Sequence, residues 1–300
     1  MKNRNTQQFI RVLRNYEKLL LAKANVVGVG VGEKISGGLP KGSLSVKVYV
    51  EKKVVRAQLA KDDLIPQKLS GVESDVEEVG KLIALANTNR YRPALGGVSI
   101  GHYQITAGTL GCLVKDRKTT AVFMLSNNHV LANSNNAKKN DPILQPGSYD
   151  GGKKPKDTIG YLDKWIAIQF NNQVNFIDAA LAKPKNKSWV KPEILQIGIP
   201  TGHGEAKLGI FVQKSGRTTG YTTGKIKDIS ATVKVQYDQK VALFQNQILT
   251  TAMSQGGDSG SLVLDQQKRA VGLLFAGSDV VTICNPISEV LKLLDVESIV

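Results

Sequence analysis

The sequence predicts a mainly β protein that is preceded by a small α+β domain. From Gly96 onward, about a dozen short β-rich runs are separated by Gly, Pro, Asn and Asp, and no helical pattern lies between them. This spacing is typical of a β-sandwich or a pair of small barrels. Before that point, an amphipathic helical pattern is followed by alternating strands, and the 300 residues are enough for two domains.

The N-terminal domain, residues 1–88, is predicted to contain one helix and a small sheet. Apolar residues recur at helical spacing over residues 7–23, which indicates a helix with one buried face. Residues 87–93 are interpreted as the linker that leaves this domain. Alternating or β-rich segments predict strands at residues 26–32, 44–50 and 75–85.

The second domain, residues 96–300, carries the short β-rich runs and ends with a helix. Asn285 can cap this helix, expected over residues 286–295, and Pro286 fits its first turn. The predicted strands cover residues 108–114, 121–126, 143–144, 158–162, 176–181, 210–213, 224–229, 232–237, 248–252, 261–264, 270–275 and 280–283.

Composition excludes several classes of protein. The 41% of hydrophobic residues exclude a mainly disordered chain. No stretch reaches the roughly 18 uninterrupted apolar residues that a membrane span needs. Residues 1–32 show no secretory signal, and two cysteines cannot form a disulfide framework. The expected location is therefore the reducing cytoplasm.

The net charge of +15 raises the question of an anionic partner. Lysine-rich runs at residues 138–139, 153–156 and 183–187 contain no interleaved aromatic residues, which favours solvated loops over a nucleic-acid interface. The stretch Gly28–Lys34 resembles a phosphate-binding loop, but it lacks the Gly-Lys-Ser/Thr ending and no strong helix follows it. A nucleotide- or nucleic-acid-binding protein is therefore the less favoured alternative.

The segment Gly256–Ser261 contains a candidate nucleophile. It reads Gly-Gly-Asp-Ser-Gly-Ser and leads directly into an apolar strand. A serine hydroxyl attacks well only when a base takes its proton and preformed donors receive the oxyanion. Glycines beside Ser259 would let the backbone aim two N–H groups at one point. A glycine-rich hairpin turn is the alternative interpretation of this segment.

The chain contains three histidines that could serve as the base. His129 follows the apolar run 122–125, and a histidine at the end of a buried strand is well placed to line a cleft. His102 and His203 each follow a glycine in expected loops and are interpreted as surface residues. His129 is therefore the candidate base.

An acid that orients the imidazole is expected between His129 and Ser259. Asp178 lies in an apolar run, where a carboxylate is costly to bury unless it is hydrogen-bonded, as one that holds an imidazole would be. It is therefore the preferred candidate. The weaker candidates lie in polar loops and are Asp150, Asp157 and Asp163.

These residues, in the order His, Asp, Ser, make residues 97–295 resemble the chymotrypsin/trypsin-like serine peptidases. Segments 215–224 and 250–252 are similar to the bacterial streptogrisin and α-lytic branch. The whole chain resembles a bacterial group of trypsin-like peptidases akin to the plant narrow-leaf proteins. Three motifs in the correct order are far more specific than any one of them.

The resemblance implies two six-stranded antiparallel β-barrels, over about residues 96–190 and 205–285, with the site in their cleft. It implies a serine endopeptidase that acts on protein or peptide substrates through an acyl-enzyme, with no cofactor and no metal. Ser259 would attack, His129 would transfer the proton and Asp178 would orient the imidazole. The N–H groups of Gly257 and Ser259 would bind the oxyanion. An inactive protease-fold scaffold or binding protein is the alternative.

The sequence departs from the family pattern at its cysteines and near the triad carboxylate, and each departure predicts a structural difference. Cys112 and Cys284 lack the family's partner cysteines and should be unpaired. Phe275 stands where the family usually has a serine near the triad carboxylate, so Asp178 should lose one hydrogen bond. The expected pocket favours a small or medium apolar residue before the cut. Its residues are Met253, Ser254, Phe275, Ala276 and Gly277.

Residues 1–88 have two possible roles: a permanent domain or a removable pro-segment. We favour a permanent domain that contributes to self-association, since the helix carries leucines on more than one side, with Leu21 beside Leu19 and Leu20. The segment that leaves this domain contains Arg90 and Arg92, which an enzyme of apolar specificity would cut poorly.

Overall fold

The computed structural model describes residues 2–37, 39–80, 87–119 and 121–299. Within these ranges the chain forms two compact units, Met1–Ala84 and Leu85–Val300. No helix in the described ranges is long and apolar enough to cross a membrane.

The segment interpreted as a linker, residues 87–93, is part of the second unit. The Asn87 side chain is buried and donates hydrogen bonds to Gly97 O (3.1 Å) and Gly216 O (2.9 Å). The Asn87 N–H donates to Arg217 O (2.8 Å). These contacts hold the start of the segment against the fold of the second unit.

The first unit packs one helix against a four-stranded sheet of order β1-β2-β4-β3. Val12 and Leu20 of the helix lie in one apolar cluster with Val46 and Val48 of β2. The predicted strand over 75–85 begins earlier and ends at Glu78, and residues 81–86 lie outside the described part of the chain. The elements are α1 (Lys2–Leu21), β1 (Val26–Ser36), β2 (Leu39–Val50), β3 (Lys68–Leu69) and β4 (Val72–Glu78).

The stretch Gly28–Lys34 lies inside β1 and pairs with β2, as the strand predicted at residues 26–32 requires, and the less favoured phosphate-binding loop is not formed. The glycines of this strand leave room for a side chain of the neighbouring strand. The Tyr49 ring lies across Gly28 and Gly30, where an added Cβ would stand 3.3 Å from ring atoms. On α1, Leu20 is buried while Leu19 and Leu21 are exposed. Self-association through this helix stays a prediction.

The second unit is built almost entirely from short strands. Its helices are α2 (Asn128–Leu131) and α3 (Ile287–Leu293). Its strands are β5 (Ala94–Gly96), β6 (Ser99–His102), β7 (Gly108–Thr109), β8 (Cys112–Asp116), β9 (Val122–Ser126), β10 (Pro142–Leu144), β11 (Thr158–Trp165), β12 (Val174–Asn175), β13 (Ala180–Pro184), β14 (Val190–Ile194), β15 (Phe211–Gly216), β16 (Gly220–Tyr237), β17 (Lys240–Thr251), β18 (Leu262–Asp265), β19 (Ala270–Gly277), β20 (Val281–Pro286) and β21 (Val296–Ile299).

These strands form two barrels, which confirms the predicted fold class. The first sheet runs β8-β9-β13-β11-β10-β6-β7, and it closes because β7 and β8 are consecutive parts of one segment. The second runs β17-β16-β15-β18-β19-β20 and closes through the pairing of β20 with β17. Each barrel therefore has six strands when β7 and β8 are counted together. Strand β21 adds to the edge of the first sheet beside β8.

Three details of the second unit differ from the sequence-based expectation. The predicted strands 224–229 and 232–237 form one strand, β16. The strand expected from residue 176 begins at Ala180, so Asp178 lies in the segment before it. Asn285 does not cap α3, where Pro286 occupies the N-cap position. The Asn285 amide instead donates to Gln247 Oε1 inside the protein (2.7 Å).

Candidate active site

His129 stands at the end of a buried strand, as the sequence predicted. Strand β9 ends at Ser126, and the one-turn helix α2 then carries the imidazole. Buried asparagines fix the turn: Asn127 Nδ2 donates to Asp178 O, and Asn128 Nδ2 donates to Ile166 O, both at 2.7 Å. The His129 side chain keeps 22% of its surface exposed, so the imidazole is accessible from solvent.

The structure brings Asp178 and His129 into direct contact. Asp178 Oδ2 lies 2.5 Å from His129 Nδ1, and Oδ1 accepts the His129 backbone N–H at 3.2 Å. The Asp178 carboxylate is fully buried. Because an ionised carboxylate can only accept, Nδ1 carries the proton and Nε2 is left as the acceptor. This is the tautomer that a general base toward a hydroxyl requires.

The expected loss of a hydrogen bond at Asp178 is wrong. Tyr237 Oη donates to Asp178 Oδ2 at 2.7 Å, from the end of β16. The Asp178 N–H donates to Asn285 Oδ1 at 3.0 Å, which holds the backbone of the same residue. The buried carboxylate therefore accepts three hydrogen bonds, which offset the cost of removing its charge from water.

The loop between β17 and β18 presents Ser259, and glycine is required at two of its positions. Gly257 and Gly260 have φ of +97° and +96°. A Cβ on Gly257 would stand 2.4 Å from Thr218 Oγ1, and one on Gly260 would stand 2.1 Å from Ser126 Oγ. Both the left-handed backbone and the lack of space therefore exclude other residues here.

The N–H groups of Gly257 and Ser259 have no acceptor among the described residues. The carbonyl of Gly256 accepts from Thr218 Oγ1 at 2.7 Å. Since a trans peptide directs its C=O and N–H to opposite sides, the Gly257 N–H points away from Thr218. The Ser259 carbonyl accepts the Thr109 N–H at 2.7 Å. Two N–H groups of the loop that carries Ser259 are therefore free, and an oxyanion site needs such donors.

A buried ion pair stabilises the loop that carries Ser259. Lys214 Nζ and Asp258 Oδ2 are 3.2 Å apart, and both side chains are fully buried. Asp258 Oδ1 accepts the N–H groups of Thr218 (2.9 Å) and Thr219 (3.1 Å), and Oδ2 accepts the Gln255 N–H (3.0 Å). Burial lowers the pKa of Lys214 below its usual value, and the charge of Asp258 opposes that shift. The pair ties β15 to the residue that precedes Ser259.

Ser259 Oγ is not hydrogen-bonded to His129 in this structure. Among the described residues its partner is Phe275 O, at 3.5 Å. The two segments are nevertheless adjacent, because a Cβ on Gly108 would contact both Val130 Cγ2 (2.4 Å) and Ser259 O (3.0 Å). Serine–histidine bonds are often long before substrate binds and tighten in the complex.

A cavity of about 320 Å³ adjoins Ser259 and corrects part of the predicted pocket. Met253 lies instead in the core of the second barrel, and the Phe275 ring packs against Phe244 with centroids 4.8 Å apart. The lining is thereby mostly polar or small. It consists of Ser254, Gln255, Gly256, Ser259, Leu274, Ala276, Gly277, Ser278 and Asp279.

The other two histidines lie elsewhere. His102 is fully buried and bonds Asp141 Oδ2 through Nε2 at 3.1 Å, so its interpretation as a surface residue is wrong. His102 lies in β6, and its pairing with Asp141 joins that strand to the segment before β10. His203 is exposed, as predicted.

The weaker acid candidates each pair with a basic side chain. Asp150 contacts Arg217 at 2.5 Å, Asp157 contacts Arg90 at 2.9 Å and Asp163 contacts Lys139 at 3.2 Å. In the described ranges, no group of three or more His, Cys, Asp or Glu side chains is arranged to hold a metal ion. Asp178 is the acid that meets His129.

Both cysteines are free and buried, as predicted. Burial raises the pKa of the Cys284 thiol to about 12 and also raises that of Cys112. Neither thiol is therefore ionised near neutral pH, which leaves them as core residues without nucleophilic character.

Comparison with solved structures identifies the fold of the double barrel. A glutamic acid-specific serine protease that uses a histidine triad in substrate binding is 23% identical, with a TM-score of 0.51, over 69% of this chain and 100% of that one. A Nocardiopsis protease is 17% identical, with a TM-score of 0.51, over 69% and 98% of the two chains. This is the chymotrypsin/trypsin-like serine peptidase fold.

Protease A of Thermobifida fusca is a further structural relative, 19% identical with a TM-score of 0.50, over 69% of this chain and 99% of that one. No protein-family profile matches the sequence, and the comparison with curated proteins finds no match. At these identities the likeness extends to the fold. The finer resemblance to the streptogrisin branch and the narrow-leaf group stays a prediction.

Loss of the Lys214 charge should destabilise the protein strongly. In Lys214→Met, Asp258 keeps its charge in a buried site without its ion-pair partner, so we expect the free energy of unfolding to fall by about 3–5 kcal/mol. Urea unfolding measures this change. Lys227→Met, on the exposed part of β16, is the matched control and should change it by less than about 0.5 kcal/mol. Equal unfolding midpoints for wild type and Lys214→Met would contradict the assigned role of the pair.

Proposed function

We propose that this protein is a serine endopeptidase with Ser259 as nucleophile, His129 as general base and acid, and Asp178 as the orienting carboxylate. The observation that carries the proposal is the buried Asp178–His129 contact of 2.5 Å beside a serine loop with two free N–H groups. A protein that serves only as a scaffold does not need a buried carboxylate in contact with a partly exposed imidazole. The fold of the double barrel supports the same conclusion.

In the proposed mechanism, substrate binding brings Ser259 Oγ within hydrogen-bond reach of His129 Nε2. The Ser259 oxygen attacks the scissile carbonyl carbon as its proton moves to Nε2, and the carbonyl oxygen becomes an oxyanion bound by the N–H groups of Gly257 and Ser259. His129 then protonates the leaving amine, which departs and leaves an acyl-enzyme. Water activated by the same imidazole releases the acid and restores Ser259.

A fluorophosphonate probe tests this proposal directly, because it reacts with activated serines. Wild type should be labelled, and Ser259→Ala should not be labelled. His129→Ala should lose hydrolysis by several orders of magnitude, as expected for residues that act as a unit. Asp178→Asn should lower hydrolysis by about 10⁴-fold, because an amide at this position favours the wrong imidazole tautomer.

Two controls make the experiment decisive. Ser230→Ala and His203→Ala change exposed residues of the same kinds and should retain labelling. Thermal unfolding checks that every variant is folded. A folded wild type that is never labelled and cleaves no peptide would support the inactive-scaffold alternative. Labelling that persists in Ser259→Ala would show that another serine is the nucleophile.

The cavity beside Ser259 suggests a substrate preference that differs from the sequence-based expectation. With Met253 and Phe275 in the core, the lining presents hydroxyl groups and the exposed carboxylate of Asp279. Ser254 Oγ and Thr282 Oγ1 are hydrogen-bonded to each other at 2.7 Å on the same wall. We propose that the residue before the cut is polar or positively charged.

A peptide-library profile tests this preference. Cleavage after Lys, Arg or Gln should exceed cleavage after Leu, Val or Glu, because Asp279 attracts cations and repels carboxylates. Asp279→Asn should reduce the preference for Lys and Arg over Gln by a few-fold, as expected for an exposed charge. Ser278→Ala beside it keeps the charge and should retain that preference. A profile dominated by cleavage after Leu or Val would support the apolar preference expected from the sequence. A profile dominated by cleavage after Glu would contradict both the apolar preference and the polar or cationic one.

We also propose that the N-terminal unit is retained rather than removed as a pro-segment. Asn87 is fixed to the second unit by hydrogen bonds to Gly97, Gly216 and Arg217, so a protease would have to extract this segment before cutting it. The intact mass of active enzyme should stay unchanged during prolonged incubation, as it should for Ser259→Ala. Removal of the first ~85 residues by wild type alone, accompanied by a rise in activity, would show that the unit is a pro-segment.

A further inference from the structure

The hairpin of β16 and β17 extends well beyond the second barrel. Within the barrel, β15 pairs with β16 only as far as Lys225, and β20 pairs with β17 only over Ile248–Thr251. The remainder, which we call the ribbon (residues 231–247), pairs with itself up to the Tyr237–Lys240 turn. A two-stranded ribbon has little stability alone, so it needs contacts with other elements.

The ribbon is fixed to the segment that carries Asp178. Strand β12 pairs with β17 in parallel, with Val174 opposite Leu243 and Asn175 opposite Phe244. Asn175 Nδ2 donates to Leu243 O at 3.1 Å. Asp178 follows three residues later, and Gln247 Nε2 of the ribbon donates to Phe176 O at 2.8 Å. The chain on the N-terminal side of the carboxylate is therefore bound to the ribbon.

Tyr237, at the end of the ribbon, contacts both members of the Asp178–His129 pair. Its hydroxyl donates to Asp178 Oδ2 at 2.7 Å, the same oxygen that lies 2.5 Å from His129 Nδ1. Its ring meets the His129 ring edge-on, with centroids 5.8 Å apart and planes at 70°. Phe170 and Phe244 hold the Tyr237 ring, with centroids at 5.9 and 6.2 Å.

We propose that Tyr237 is a positioning residue of the active site and that the ribbon exists in part to deliver it. The inference rests on the proposed serine peptidase function. The hydroxyl fixes the rotation of the Asp178 carboxylate, since one oxygen accepts from both Tyr237 and His129 while the other accepts the His129 N–H. The ring closes one side of the imidazole and limits its rotation. Tyr237 thereby supplies a donor that Phe275, whose ring lies in the same apolar cluster, cannot supply.

The chemistry of a phenol suits this role. A hydrogen bond to an ionised carboxylate is stronger than one between neutral groups. Burial and the charge of Asp178 raise the pKa of Tyr237 well above its ordinary value, so the hydroxyl keeps its proton throughout the range in which the peptidase would work. It therefore donates to Asp178 without accepting the proton of the imidazole.

The Asp178 Oδ2 atom accepts hydrogen bonds from both His129 Nδ1 and Tyr237 Oη. Removing the Tyr237 hydroxyl should therefore change how the carboxylate interacts with the imidazole. In Tyr237→Phe, the carboxylate stabilises the protonated imidazole of His129 more strongly. Because the reaction requires neutral His129, the acidic limb of the kcat/KM profile should move to higher pH. The carboxylate is also freer to rotate, so kcat at its optimum should fall about tenfold. KM should change little, since Tyr237 does not line the cavity beside Ser259.

The experiment compares Tyr237→Phe with Tyr221→Phe. Tyr221 lies on the same strand, and its hydroxyl donates to Gln213 Oε1 at 3.2 Å, away from Asp178. Tyr221→Phe should match wild type in kcat and in the pH profile. Tyr237→Leu also removes the ring, so its kcat should be lower than that of Tyr237→Phe. A shifted acidic limb is a readout that a merely structural role of Tyr237 would not produce.

The possible results separate this inference from the proposed function. Wild-type activity with an unchanged kcat and acidic limb in folded Tyr237→Phe would overturn the role of Tyr237 and leave the peptidase assignment standing. A folded wild type that no fluorophosphonate labels would overturn the peptidase assignment and, with it, this inference. A Tyr237→Phe variant that unfolds at a lower temperature but keeps the wild-type pH profile and kcat below that temperature would also overturn it.

Discussion

The fully buried carboxylate of Asp178 is the group on which the arrangement of the site depends. A charge at this depth is tolerated only because three donors surround it, and those donors come from distant parts of the chain. The first barrel supplies His129, and the hairpin of the second barrel supplies Tyr237. Asn285, at the end of β20, holds the backbone of Asp178. Satisfying one charge thus joins the two barrels at the cleft.

A second buried charge stabilises the loop that carries Ser259. Asp258 is paired with Lys214 and accepts the N–H groups of Thr218, Thr219 and Gln255, so its position is determined from several directions. The neighbouring residues Gly257 and Ser259 then keep their N–H groups free. Both charges serve the same end, because each fixes a backbone segment that no apolar contact alone could orient.

Local pattern predicted a β-sandwich or a pair of small barrels from short alternating runs, and it pointed to Asp178, an acid among apolar residues, as the partner of His129. The two six-stranded barrels were implied by the resemblance to the serine peptidases. Local pattern missed Tyr237, which lies 59 residues from Asp178 and ends an ordinary alternating strand. Met253 and Phe275 were expected to line the pocket, but both lie in the core. Phe275 is a residue of β19, and a strand residue faces either the pocket or the core, which the sequence does not say. The burial of His102 was also missed, because it results from the pairing of β6 with β10, which is distant in sequence.

Asp178 accepts the Nδ1 proton of His129 and so leaves Nε2 free to act as the base. Proton NMR of the imidazole, with histidine labelled by ¹⁵N, observes this proton directly. We expect one strongly downfield Nδ1 proton, which is assigned by its loss in His129→Ala. This signal should persist in Ser259→Ala and disappear in Asp178→Ala. A proton on Nε2 of neutral His129, or a downfield signal that survives in Asp178→Ala, would contradict this role of Asp178.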